Sequence, residues 1–212
     1  MGLLIDVHVH TKRYSACSQL DPGRLIERAV KAGLNGVVIT EHARQWEPAE
    51  LEALVAQSGH PGFLLLAGFE YTTTQGDLLI YGLRADEAHA FEPGWTPAQA
   101  ADRVSTLGGV CIAAHPTRAG VGFDEQLLTL PLSGIEVASV RMQPHEQQLA
   151  MRIAQTAQIA PIAASDAHRL QEVGRFATEF EDPIGRAHEL REALRRGRFR
   201  VAGVGARRKS NQ

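Results

Sequence analysis

Apolar runs of strand length alternate with stretches of helical character along almost the whole chain, and this alternation limits the fold more than any other feature. The runs fall at 3–9, 36–40, 63–69, 78–83, 110–114, 134–137 and 161–164, with candidate helices at 22–32, 48–56, 97–107, 123–129, 143–157 and 185–196. Asp21-Pro22 and Thr96-Pro97 read as an N-cap followed by proline in the first helical turn, and Gly33, Gly108 and Gly109 as helix stops. Near-continuous apolar strands joined by helices predict a mainly parallel, centrally buried sheet in an α/β fold. The strand number suits a small or incomplete barrel better than an eightfold one, which needs about 250 residues. An open doubly wound sheet is the alternative. One domain is expected over 1–202, followed by a basic tail at 203–212 that is expected to be mobile.

Side chains that bind divalent metals stand at the ends of these runs or up to a few residues beyond them. They are His8, His10, His42, Glu70, Asp77, His115, Asp166 and His168. Both barrels and open α/β sheets carry their active sites at the C-terminal ends of strands, so the placement itself points to a site. In Ile5-Asp6-Val7-His8-Val9-His10-Thr11, side chains two apart on a strand point the same way, which lets His8 and His10 close on one ion. Asp6, one face away, is expected to orient a ligand. His60, His89, His145 and His188 lie in turns or polar stretches and read as surface residues. Imidazole and carboxylate donors without thiolates suit zinc, manganese or iron, and clusters of such ions are typical of hydrolytic sites.

The remaining composition excludes more than it names. A net charge of −2 with 22% charged and 44% hydrophobic residues fits an ordinary globular protein rather than a polyanion binder or a disordered chain. Two distant cysteines, Cys17 and Cys111, form no disulfide framework or Cys-x-x-Cys pair, and a reducing, cytoplasmic location is expected. Asp6 and His8 interrupt the first apolar run, so no secretory leader is expected there, and no membrane span either.

The ordered motifs Asp6-Val7-His8-Val9-His10-Thr11, Val38-Ile39-Thr40-Glu41-His42, Gly68-Phe69-Glu70, Ala114-His115-Pro116 and Ala164-Ser165-Asp166-Ala167-His168 resemble those of the PHP (polymerase and histidinol phosphatase) family. The resemblance spans about residues 3–180. It implies a distorted (β/α)7 barrel, TIM-barrel-like, with two or three divalent metal ions at its C-terminal face and phosphoester hydrolysis as the usual reaction. Carried over by residue, His8, His10, Glu70 and Asp166 would hold a first metal. Glu70 would bridge to a second, completed by His115 and Asp77, and His42 with His168 would reach toward a third.

This chain departs from the family pattern at three points. Asp77 stands where histidine is common, which hardens the second site toward manganese or iron. Glu41 replaces an aspartate and is expected to affect ligand orientation rather than ligand number. After Tyr14-Ser15 the family often supplies a third-metal ligand, whereas this chain has Ala16-Cys17-Ser18. Cys17 is expected to be a small buried packing residue.

The predicted function is a metal-dependent phosphoesterase acting on a small-molecule monoester or diester, or on a nucleotide, through metal-activated water. Asp166 and His168 are the catalytic candidates, His168 as general acid if no third ion binds. Arg118, with Arg44 and Arg141, is expected to contact phosphate, since a guanidinium binds it in bidentate fashion. Two alternatives are a non-catalytic metal-stabilised module that binds a partner, and an amidohydrolase on the same kind of barrel. The C-terminal arginines Arg191, Arg195, Arg196, Arg198 and Arg200 offer a nucleic-acid patch as the weaker reading, against helix-end cations beside the apolar face of Leu190, Ala193 and Leu194.

Overall fold

The computed structural model describes residues 2–42 and 44–202; the tail at 203–212 expected to be mobile lies outside them. The strands are β1 (Leu3–Val9), β2 (Gly36–His42), β3 (Leu64–Thr72), β4 (Asp77–Tyr81), β5 (Val110–Ala114), β6 (Gly134–Ala138), β7 (Pro161–Ala163), β8 (Ala177–Phe180) and β9 (Phe199–Ala202). The helices are α1 (Pro22–Lys31), α2 (Pro48–Gln57), α3 (Ala85–His89), α4 (Pro97–Thr106), α5 (Pro144–Ala157) and α6 (Ala187–Arg196). The candidate helix at 123–129 is instead a 3₁₀ turn over Glu125–Thr129. The proline starts behave as read. Asp21 accepts from the Gly23 N–H at 3.2 Å, and Thr96 and Gln99 cap each other's backbone reciprocally.

The nine strands among the described residues form one sheet in the order β7-β6-β5-β4-β3-β2-β1-β8-β9. The ends approach through the chain beyond β7. Ala167 bridges to Val9 in parallel, and the His10 N–H donates to the Ala167 carbonyl at 3.0 Å. Below that point the Thr178 hydroxyl of β8 bonds both the N–H and the carbonyl of Ala163. The sheet is thus a nearly closed barrel, as the α/β barrel expectation required.

It is not mainly parallel, which corrects the sequence reading. Strand pairs β1–β2, β2–β3, β5–β6 and β6–β7 are parallel, whereas β3–β4, β4–β5, β1–β8 and β8–β9 are antiparallel. The physical reason at β3–β4 is loop length. Only Thr73 to Gly76 separate the strands, and a parallel return needs a crossover of a dozen residues or more. Gly76 closes that turn at φ +80°, where an added Cβ would meet the Phe123 ring at 2.5 Å. The reversal has a functional consequence. Asp77 opens β4 opposite Thr72 and Ala114, on the same rim as the C-terminal ends of the parallel strands.

A second irregularity lies within β1, whose register against β2 shifts between Asp6 and Val9. Ile5 and Val7 pack inside the barrel with Val38, Leu66, Leu79, Ile112 and Ile162. Leu4 and Val9 pack outside with Leu25, Ile26 and Ala29 of α1. Residues five apart on a regular strand face opposite ways, so the bulge reverses the alternation. Without it His8 and His10, of the same parity as Leu4, would face α1.

Helix α6 packs Leu190, Ala193 and Leu194 into the interior cluster at the base of the barrel, with Tyr81 and Val110. Each fully buried leucine there contributes about 1.5–3 kcal/mol. Four arginines of α6 and the segment after it meet nearby carboxylates. Arg191 and Arg195 meet Glu192, Arg198 meets Glu181 and Asp182, and Arg200 meets Glu179. The basic cluster therefore completes the base of the fold, away from the rim that holds the ligand-type residues.

Gly68 in β3 lies so close to β4 that a Cβ would stand 2.6 Å from the Ile80 carbonyl oxygen and 2.8 Å from the Tyr81 ring. Gly68→Ala is expected to lower unfolding stability by about 1–3 kcal/mol through overpacking. Urea denaturation reads this directly, and an unchanged midpoint would contradict so close an approach of β3 and β4.

Candidate metal centre

One rim of the barrel gathers every ligand-type side chain read from the sequence. His8 and His10 come from β1, His42 from the end of β2, Glu70 from β3 and Asp77 from the start of β4; His115 follows β5, and Asp166 and His168 follow β7. His115 and Asp166 adopt left-handed backbone conformations, with φ of 28° and 51°. Non-glycine residues pay strain there, and such strain concentrates at functional sites.

Glu70 stands at the centre. Its Oε1 lies 3.6 Å from His8 Nε2 and 3.1 Å from His115 Nε2, and its Oε2 lies 3.2 Å from both His10 Nε2 and His42 Nδ1. His8 and His10 bring their Nε2 atoms within 2.9 Å of each other. Asp166 Oδ1 is 3.5 Å from both of these nitrogens and 3.4 Å from His168 Nδ1. Asp77 Oδ2 approaches His115 Nε2 at 3.9 Å. Among the described residues three groups result, His8–His10–Asp166 and His10–His42–His168, which share His10, and Glu70–Asp77–His115, each with donor atoms within 4.8 Å of one another.

These residues fit divalent cations. Asp77 Oδ1, His115 Nδ1 and both carboxylate oxygens of Asp166 are buried without a hydrogen-bond partner. Buried polar atoms are rarely left so, and ions among them would satisfy the orphans.

The surrounding contacts aim the rings. His8 turns Nδ1 to Glu136 Oε1 at 3.0 Å, so Nε2 faces the cluster. His10 Nδ1 lies 3.4 Å from the Ser15 hydroxyl, which itself bonds Glu41. Glu41 also accepts from the Thr11 N–H at 3.0 Å and the Trp46 indole at 2.9 Å, so it acts on orientation. Asp6 accepts from the N–H groups of Ser165 at 2.8 Å and Gly174 at 3.0 Å, which ties down the backbone that carries Asp166. Burial drives the Asp6 pKa up to about 6 against these donors.

Charge is balanced by coupling. Burial disfavours the charged forms of His8, His10 and His115, yet the carboxylates around them, Glu70 and Asp166 among them, raise all three pKa values. Against its own burial, Glu70 is held well below the usual carboxylate range by His8, His10 and His115. Asp166 is likewise lowered, chiefly by His8. Burial and Glu70 raise Asp77. Burial lowers His42, and burial with His10 lowers His168 to about 4. His168 Nδ1 lies 3.1 Å from the Asp166 carbonyl, an acceptor only, so this nitrogen carries the proton and Nε2 offers a lone pair.

Beside the cluster opens a cavity of ≈ 280 Å³ lined by Cys17, Gln19, Arg118, Arg141, His168 and Arg169. Arg118 reaches within 4.0 Å of Asp166 Oδ2, and Arg141 bonds Glu172 at 3.1 Å. Arg44 instead lies over the Tyr14 ring, 4.2 Å from its centre, and does not line this cavity. Cys17 corrects the expectation of a buried packing residue. It is exposed at the cavity, because the 11–20 loop buries Ser15, Ser18 and Leu20 and turns Ala16 and Cys17 outward. Burial and nearby carboxylates raise its thiol pKa, which disfavours a thiolate ligand. Sequence reasoning missed Glu136, Ser15 and Arg169. A glutamate inside the apolar run at 134–137 was the available signal for Glu136; Ser15 offered none beyond its place in the loop.

Comparison with known proteins bears on the fold. Residues 144–199 match the family PHP_C, described as PHP-associated. No curated protein matches the sequence. Among solved structures, a two-domain protein from Bacteroides vulgatus containing a predicted PHP-like metal-dependent phosphoesterase superposes with TM-score 0.74 at 19% identity, over 95% of this chain and 65% of that one. The lesion-specific endonuclease EndoQ of Pyrococcus furiosus gives 0.70 at 17% identity, over 95% of this chain and 58% of that one. An amidohydrolase from Chromobacterium violaceum with bound sulfate gives 0.62 at 16%, over 93% and 97%. At such identities the likeness is one of fold, and the chain spans less than two thirds of the first two proteins. With the ordered motifs, the matches bear out the PHP resemblance.

The raised pKa values of His8, His10 and His115 make protons the competitors of metal. Metal affinity is expected to rise as pH rises above the ordinary histidine value near 6.5 and through their raised values, with protons released on binding; titration calorimetry in buffers of differing ionisation enthalpy measures both. For the metal-free chain the sign reverses. These histidines contribute stability fully below the unfolded value near 6.5, and that contribution declines as pH rises through their raised folded values. Metal affinity independent of pH would contradict the assignment.

Proposed function

We propose that this chain, with the fold and ordered motifs of the PHP family, is a metal-dependent phosphoesterase that attacks a monoester or diester of a small molecule or nucleotide with water. The observation that carries the reading is one juxtaposition. Buried carboxylates with unpartnered oxygens adjoin a cavity lined by Arg118, Arg141 and Arg169. Carboxylates alone would repel a phosphate. Counter-ions among them, with guanidinium groups at one side, convert the rim into an anion site.

His8, His10, Glu70 and Asp166 would hold one ion, Glu70, Asp77 and His115 a second, and His42 with His168 would face a third beside His10. Zinc, manganese and iron all suit the nitrogen and oxygen donors. When bound, such ions lower the pKa of an attacking water and offset charge on the phosphoryl oxygens. Arg118 spans from Asp166 toward the cavity and orients the phosphate, with Arg141 and Arg169 completing the cradle. His168 enters as a lone-pair donor rather than as general acid, since a pKa of about 4 leaves the ring neutral at physiological pH. Asp166 joins the ligand cluster to the arginines.

The sulfate-bearing amidohydrolase of similar fold favours a second reading, in which the same water attacks an amide. The arginine-lined cavity supports phosphate over it. DNA, the substrate implied for an endonuclease, draws no support from the basic C-terminal residues, because four of those arginines already meet carboxylates. No described helix is long and apolar enough to cross a membrane.

Turnover of p-nitrophenyl phosphate, bis-p-nitrophenyl phosphate and a nucleotide panel, each with manganese, zinc and iron, tests the proposal. Asp166→Asn is expected to lose metal and activity together. Arg118→Ala is expected to retain metal while kcat/KM falls about 10- to 100-fold, the cost of one charge-assisted hydrogen bond. Intact metal binding with no turnover of any phosphoester would sink the reading.

A further inference from the structure

We infer that Glu136 is a positioning residue that locks the His8 ring in the one tautomer able to bind metal. The inference rests on the metal-binding reading of the rim. Glu136 is fully buried on β6, and its two oxygens serve two different donors. Oε2 accepts from the backbone N–H of His115 at 2.7 Å, and Oε1 meets His8 Nδ1 at 3.0 Å. One side chain thus ties the ring of a ligand on β1 to the backbone of a ligand after β5.

The tautomer follows from the donor inventory. A backbone N–H can only donate, so Oε2 is committed as an acceptor. A carboxylate is acceptor-only on both oxygens, and Oε1 therefore accepts a hydrogen bond from Nδ1–H, which keeps its proton. A neutral imidazole carries one N–H, so Nε2 presents a lone pair toward His10, Glu70 and Asp166. Meanwhile the His115 N–H bond helps hold the left-handed backbone at φ 28°.

Glutamine, nearly the same shape, breaks this arrangement in a specific way. Only one of its two terminal positions is an oxygen, whereas the two donors reach separate terminal positions of Glu136. If it serves the His115 N–H, the amide NH₂ faces His8 Nδ1 and drives the ring to the Nε2–H tautomer, which cannot ligate. If it serves His8, two N–H groups oppose each other at His115. Alanine imposes neither conflict and leaves His8 free to choose its tautomer. The expected order of metal affinity is therefore wild type, then Glu136→Ala, then Glu136→Gln. A residue needed only for packing predicts the opposite order for the two variants.

The test measures Zn²⁺ or Mn²⁺ affinity of the three proteins by calorimetry, with circular dichroism and thermal melting of the metal-free forms to check folding. Glu136→Ala is expected to weaken binding roughly 10- to 100-fold, and Glu136→Gln further still. In parallel, ¹⁵N spectra of the neutral His8 ring without metal should give Nδ1–H in the wild type and Nε2–H in Glu136→Gln. Glutamine binding as tightly as glutamate, or more tightly than alanine, would overturn the inference, as would an unchanged tautomer. If the wild type bound no metal the metal reading itself would fail, and the spectra would still decide what Glu136 does to His8.

Discussion

The buried carboxylate of Glu70 is the constraint on which the mouth of the barrel depends. Only 2% exposed, it has four imidazoles around its two oxygens. A charge so far from water is costly unless countered, and here the neighbouring imidazoles of His8, His10 and His115 hold its pKa down. Each partner shifts the other, the carboxylate downward and the rings upward. The same balance suits the rim to cations, because a divalent ion competes with protons for these nitrogens and oxygens.

Holding so many like groups together requires a rigid frame, and the frame is built from irregularities. The bulge in β1 turns His8 and His10 inward, and the short turn after β3 reverses β4 so that Asp77 arrives at the ligand rim. Left-handed residues at His115 and Asp166 bend the chain where it leaves β5 and β7. Outer carboxylates then fix the aim of the inner groups, Glu136 acting on His8, Glu41 through Ser15 on His10, and Asp6 on the backbone before Asp166. Ligands supported this way sit on strands and hydrogen bonds rather than on free loops.

Charge is also segregated between the ends of the barrel. At the rim, Arg118, Arg141 and Arg169 face a small cavity beside the carboxylates, where a phosphate would find cations on more than one side. At the base, Arg195, Arg198 and Arg200 meet Glu192, Asp182 and Glu179. Placement therefore separates residues of one type into two roles. Cys17 falls at the rim as well, an exposed thiol beside the arginines rather than a core residue.

Much was legible in the chain itself. The apolar runs that became β1 to β7, the proline-started helices and the ligand-type residues at their ends are local signals, written in spacing and composition. Strands β8 and β9 were missed because each is a four-residue segment whose partners, β1 and β8, lie far along the chain or across a helix. The antiparallel course of β4, the parity change in β1, the exposure of Cys17 and the orienting role of Glu136 were likewise beyond reach. Sequence alone determined which residues prefer strands and which can bind a metal, since propensity and donor chemistry belong to single residues. Register, strand direction and the partner of each buried oxygen were decided only by the tertiary structure, because they depend on pairings between segments as far as 177 residues apart, such as Leu3 with Phe180.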